Sequence, residues 1–127
     1  MRAPFTDEAG SPRWSDPVPG ARFSGRPTAA VIDLGALTHN YREVRRRAGE
    51  RQVLAVVKAQ AYGHGAVRVS RQLVEAGADM LGIALVEEGR ELREAGITAP
   101  LLIMGAVFPE QAAEIVELGL VTAVTSL

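Results

Sequence analysis

From residue 28 onward, short unbroken apolar runs alternate with longer stretches in which apolar residues recur every three or four positions. The recurrence marks one face of an amphipathic helix, and the unbroken run marks a strand. The first expected strand is Ala29-Ala30-Val31-Ile32. Asp33 then stands at a helix N-cap, and the stripe Leu34, Leu37, Tyr41, Val44 and Ala48 comes after it, closed by Gly49. Next comes Val53-Leu54-Ala55-Val56-Val57, a β-branched run suited to a strand covered on both faces. A helix over 66–76 stops at Gly77. Further strands lie at 80–85, 101–104 and 121–125, separated by helices over 87–95 and 109–118 that end at Gly96 and Gly119. Pro109 suits a first helical turn, and Glu110 beside it favours the helix dipole.

Helices that end in glycine and lead at once into apolar strands are βα repetition, so the class is α/β with a mainly parallel sheet. A strand-to-strand repeat of roughly 20–27 residues favours a (β/α)8 TIM barrel over its competitor, an open flavodoxin-like sheet. The barrel-type strands lie at 53–58, 80–85, 101–104 and 121–125. They make a partial barrel of about four βα units, against the eight of a closed one. Leu127 comes directly after a strand, so the chain is expected to be an N-terminal fragment of a longer domain. Residues 1–27 read differently: Pro4, Pro12, Pro17, Pro19 and Pro27 are interspersed with glycine, and Phe5, Trp14 and Phe23 keep no period. They are expected to form a disordered extension, with 28–127 as the N-terminal half of the barrel domain.

Composition narrows the field. A hydrophobic fraction of 47% fits a globular core, and a net charge of -1 removes any electrostatic case for nucleic acid or an anionic membrane. The triplet Arg45-Arg46-Arg47 reads as a solvated helix face beside Glu43 and Glu50. With no cysteine there is no disulfide and no thiolate site. No His, Asp or Glu cluster has metal-ligand spacing, so no metal is expected. No stretch reaches the ~20 apolar residues of a membrane helix, and the N-terminus lacks a signal-peptide core. A cytoplasmic location is therefore the expectation.

Of the 14 basic side chains only one, Lys58, is a lysine. Lysine differs from arginine in being able to lose its proton and act as an amine nucleophile. Lys58 ends an apolar strand, where barrel chemistry gathers, and Tyr62 lies just beyond it in a turn containing Gly63, His64 and Gly65. An amine able to form a Schiff base, with a phenol able to bond a phosphate, suits pyridoxal 5'-phosphate. His64 is expected to bond backbone or cap the next helix, and His39 to be structural. Gly63-x-Gly65 lacks the remainder of a dinucleotide fingerprint.

The run Ala55-Val56-Val57-Lys58-Ala59-Gln60-Ala61-Tyr62-Gly63-His64-Gly65 resembles the cofactor-lysine signature of the alanine racemase family. Val31-Ile32-Asp33-Leu34-Gly35-Ala36-Leu37-Thr38-His39-Asn40 resembles its opening strand and helix, and Pro100-Leu101-Leu102-Ile103-Met104-Gly105 its third barrel strand. The resemblance implies a pyridoxal-phosphate-dependent isomerase that interconverts L- and D-alanine for peptidoglycan and works as a homodimer. Lys58 would hold the cofactor and exchange the α-proton on one face, Tyr62 would bond its phosphate, and Met104 would pack near it. Gln60 stands where the family carries Asn or Asp. The family's opposite-face tyrosine, its pyridine-nitrogen arginine and its later phosphate loops have no counterpart here, so this chain alone is expected to be inactive. Two other readings stay open: a broader-specificity racemase of the same fold, and a non-catalytic pyridoxal-phosphate-binding remnant.

Overall fold

The computed structural model describes residues 30–124. The chain divides into two units, Met1–Ile32 and Asp33–Leu127. Of the first, only Ala30, Val31 and Ile32 are described, and they carry no helix or strand. The strand expected at 29–32 is therefore corrected, and no ladder includes these residues; a strand without a ladder leaves its backbone groups unpaired. The expected extension over 1–27, Ala29 and Thr125 lie outside the described residues.

The second unit opens with α1 (Leu34–Ala48), whose first turn is capped where Asp33 Oδ1 accepts from the Ala36 N–H at 2.9 Å. The remaining elements are β1 (Leu54–Val56), α2 (Ala66–Glu75), β2 (Met80–Ile83), α3 (Val86–Glu94), β3 (Leu101–Ile103), α4 (Ala112–Glu117) and β4 (Leu120–Thr122). The expected helix over 109–118 begins as a 3-10 turn, Pro109–Gln111. There the Phe108 N–H is taken by the Gln111 side chain at 3.0 Å instead of by a helical carbonyl. Gly49, Gly77, Gly96 and Gly119 all adopt positive φ, between 58° and 99°, which ends each helix as the sequence anticipates.

All strand pairs are parallel, and the order β1-β2-β3-β4 is that of the chain. An open doubly wound sheet reverses its order at a switch point. Here the strands advance in one direction, as in a partial (β/α)8 barrel.

In-register partners share a sheet face, so the faces can be read from the ladders. Leu81, Leu101 and Leu120 align on one face, with Ile83 and Ile103 one step further on. Leu81, Leu101, Ile83 and Ile103 are wholly excluded from solvent, packed with Val57, Val69, Leu73, Val86, Leu92 and Ile115 into one core. Leu54, Val56, Met80, Leu102 and Val121 occupy the other face and are half-buried or exposed. The expectation that 53–57 would be covered on both faces is thus met on one face only. Val44, read into the α1 stripe, is also exposed; Tyr41 alone in that helix is buried, because α1 touches the unit along a narrow seam.

At the N-terminal ends of the strands, arginines tie loops together. Arg45 donates to Asp79, and the same Asp79 oxygen accepts the Val53 N–H at 2.7 Å. Arg45 is therefore more than the solvated residue the triplet suggested, whereas Arg46 pairs only with exposed Glu43. Arg93 donates to the carbonyls of Ile97, Ala99, Leu118 and Gly119 and joins two connections.

Candidate active site

β1 ends by bonding to its neighbour, the Val57 N–H donating to Gly82 O at 2.8 Å. Lys58 comes next and is half-buried. Among the described residues its ammonium forms no ion pair; those found there all use arginine.

The backbone beyond Lys58 does not form an ordinary turn. Ala59, Gln60, Ala61 and Tyr62 all have φ between 51° and 57° and ψ between 39° and 51°, a full turn of left-handed helix. Left-handed conformation costs about 1 kcal/mol or more per L-residue, and here no glycine or asparagine relieves it. The surroundings must therefore hold it. Its backbone closes through Ala61 N–H to Val57 O and Gly65 N–H to Gln60 O, both 2.8 Å. His64 Nδ1 lies 2.9 Å from Ala61 O and 3.1 Å from Tyr62 O. Carbonyls only accept, so Nδ1 carries the proton, and His64 is a backbone clamp as anticipated.

Two side chains of α3 complete the support. Glu88 accepts the Ala59 N–H at 2.6 Å with Oε1, and the Ala84 and Leu85 N–H groups with Oε2. Gln60 donates from Nε2 to Glu91 at 2.7 Å and accepts the Ala66 N–H through Oε1 at 3.3 Å. The longer amide at 60 thus bridges two helices, α2 and α3. Neither glutamate stood out in the sequence: Glu88 lies in a first helical turn, where an acidic residue is ordinary, and Glu91 is one of several charges on the same helix. The one available signal was that a turn leaves some N–H groups, here that of Ala59, in need of an acceptor from elsewhere in the fold.

Tyr62 projects from the left-handed turn and is 60% exposed; its hydroxyl has no hydrogen-bond partner among the described residues. Met104 directly succeeds β3 and is 52% exposed. Its sulfur lies over β2, since a Cβ built on Gly82 would be 2.9 Å from Sδ and 2.8 Å from Leu54 Cδ2. Gly105 then packs against the Ala84 carbonyl so closely that any Cβ would overlap it. Lys58 and Met104 therefore stand at the same end of the sheet, two strands or about 10 Å apart. Tyr62 belongs to the Lys58 turn. No group of residues able to hold a metal occurs among the described residues.

A parallel sheet in sequential order, with an amine nucleophile and a phenol at the C-terminal ends of its strands, defines the barrel class whose chemistry sits at that rim. The comparisons with known proteins narrow this further. Residues 32–127 match the family model described as alanine racemase, N-terminal domain. "Alanine racemase 2" of Caldanaerobacter subterraneus subsp. tengcongensis is 53% identical over 93 residues, covering 72% of this chain and 24% of that protein. The alanine racemase of Symbiobacterium thermophilum is 50% identical over 95 residues, covering 75% and 25%. Among solved structures, the alanine racemase from D-cycloserine-producing Streptomyces lavendulae superposes with a TM-score of 0.71 at 41% identity, covering 75% of this chain and 25% of that one. The Bacillus anthracis enzyme with bound L-Ala-P gives 0.72 at 36%, covering 73% and 24%. The chain belongs to the alanine racemase family. It spans about a quarter of the length of the relatives it matches.

Proposed function

We propose that this chain carries the cofactor-lysine portion of a pyridoxal-phosphate-dependent alanine racemase, with Lys58 as the amine that holds the cofactor. The observation that carries the reading is the placement of the sole lysine. It is half-buried at the end of β1, forms no ion pair among the described residues, and is succeeded by a strained turn that the fold supports with two side chains of α3.

The residues present fit such a group. Lys58 offers a primary amine, Tyr62 an exposed phenol suited to a phosphate oxygen, and Met104 an apolar thioether beside Gly82. When bound, pyridoxal phosphate supplies an electron sink that makes the α-hydrogen of an amino acid acidic. The protein's share is to hold that centre and move a proton at a stated atom. Lys58 Nζ takes or returns the α-proton on one face. The left-handed turn fixes the stem of that lysine, and Tyr62 orients the anionic end. Inversion needs a second base on the opposite face, and no described residue is placed to act as one. The activity is therefore proposed for an assembly larger than this chain, a homodimer acting on alanine in the cytoplasm. No helix among the described residues is long and apolar enough to cross a membrane.

The test is covalent trapping. The chain is incubated with pyridoxal phosphate, reduced with borohydride, digested and mapped by mass. A single adduct on Lys58, lost in Lys58→Arg, is the expected result. An adduct confined to the N-terminal amine would refute the assignment. Alanine racemisation by this chain alone should be absent, and a robust rate would refute the claim that essential groups lie outside it.

A further inference from the structure

We propose that Glu88 is the positioning residue for Lys58. It sets the lysine by gripping the peptide unit that links it to the left-handed turn. The role rests on the reading of Lys58 as the cofactor amine. Ala59 N belongs to the same planar unit as the Lys58 carbonyl, so fixing that N–H fixes the ψ of Lys58 and the direction in which its stem leaves the chain. Glu88 Oε1 accepts this N–H at 2.6 Å. The other oxygen, Oε2, accepts Ala84 N–H at 2.6 Å and Leu85 N–H at 3.2 Å. One carboxylate therefore joins the end of β1 to the end of β2 through charge-assisted bonds, which are stronger than neutral ones.

The simpler alternative is that Glu88 only caps α3, where it is the third helical residue and Leu85 the cap. That role uses Oε2 alone. Oε1 reaches 29 residues back to Ala59, the first of the left-handed residues. A cap does not require this second arm. Gln60, held by Glu91, restrains the next peptide in the same direction.

The two roles separate in Glu88→Gln. Glutamine serves the third position of a capping box as well as glutamate does, so the cap survives. Its NH2 then faces the Ala59 N–H, donor against donor, and the arm to Lys58 is lost. The whole 127-residue chain is used. In E88Q the rate at which pyridoxal phosphate is trapped on Lys58 should fall about ten-fold, and the Ala59 amide should exchange about ten-fold faster, with the Ala84 and Leu85 amides unchanged. Far-UV circular dichroism should match the wild type, and the urea midpoint should fall by no more than the loss of one hydrogen bond produces. Unchanged trapping overturns the proposal, whether or not Ala59 exchange rises. Unchanged Ala59 exchange overturns it as well. If the wild type forms no adduct on Lys58 while E88Q still frees Ala59, the cofactor reading fails and the cross-link stands. Should E88Q not fold, the wild-type Ala59 amide decides: protection supports the arm, and exchange at the intrinsic rate overturns it.

Discussion

Leu81, Ile83, Leu101 and Ile103 on one face of the sheet are 0% exposed, while Val121 and Met104 on the other side are 46% and 52% exposed. Both faces are built from the same residue types, drawn alternately from the same short strands. Cover separates them. α3 lies so close on the first face that Gly89 meets Leu120 and Ile83 directly, and no described helix lies over the second. The first face supplies the cohesion of this unit. The second carries Leu54, Val56 and Leu102 toward the rim where Lys58 and Met104 stand. In a closed barrel an inner face of this kind is filled by side chains from all the strands.

Adjacent residues of β3 offer the sharpest way to break this comparison. Leu101→Ala empties a site on the covered face, and a cost of about 3 kcal/mol is expected for a buried leucine. Leu102→Ala, one residue on, removes a half-buried side chain and should cost about 1 kcal/mol or less. Urea denaturation of both variants measures the difference. Equal losses would mean that the second face is as well packed as the first.

This asymmetry also marks how far the sequence could be read. Helix ends were legible because glycine at 49, 77, 96 and 119 meets a local backbone need that no distant residue alters. Strand positions were legible because continuous apolar runs stand out. Which face would be covered was not, since Val53–Val57 reads the same whether one side or both are packed. Lys58 was legible as chemistry through its rarity. Its support was not. Ala59-Gln60-Ala61-Tyr62 has no preference for left-handed backbone, and the conformation depends on Glu88, Glu91 and His64, two of which arrive from another helix. Tertiary contacts there override local propensity.

Glycines test the same contrast with smaller effects. A Cβ on Gly89 would lie 2.8 Å and 3.0 Å from the two Leu120 methyls and 3.1 Å from Ile83 Cδ1. Those side chains are enclosed, so Gly89→Ala should cost about 1 kcal/mol net, overpacking outweighing the gain in helix propensity. Gly82→Ala meets comparably close atoms, Leu54 Cδ2 and Met104 Sδ, but on the open face. Both can swing aside, and thermal denaturation should show a change within about 0.5 kcal/mol. A large loss in G82A would show that the open face is rigid.

A pH-dependent effect concerns Tyr41, the one buried residue of α1, which belongs to the same core cluster as the covered face. Its hydroxyl donates to Gly77 O at 2.7 Å. Burial pushes the phenol above its usual value; nearby Arg45 opposes the shift and Asp79 adds to it. The neutral form is thus favoured by folding. Its contribution is fully present below the unfolded value of about 10 and is lost as pH rises through the higher folded value. The melting temperature should therefore fall as pH rises above about 10. Tyr41→Phe should cost about 1 kcal/mol at neutral pH, leaving Gly77 O without this donor, and should flatten the alkaline fall. Leu102→Ala, confined to the open face, should leave that fall intact. If instead L102A flattened it and Y41F did not, the alkaline sensitivity would belong to the open face, and the division of the sheet into a cohesive side and a chemical side would have to be redrawn.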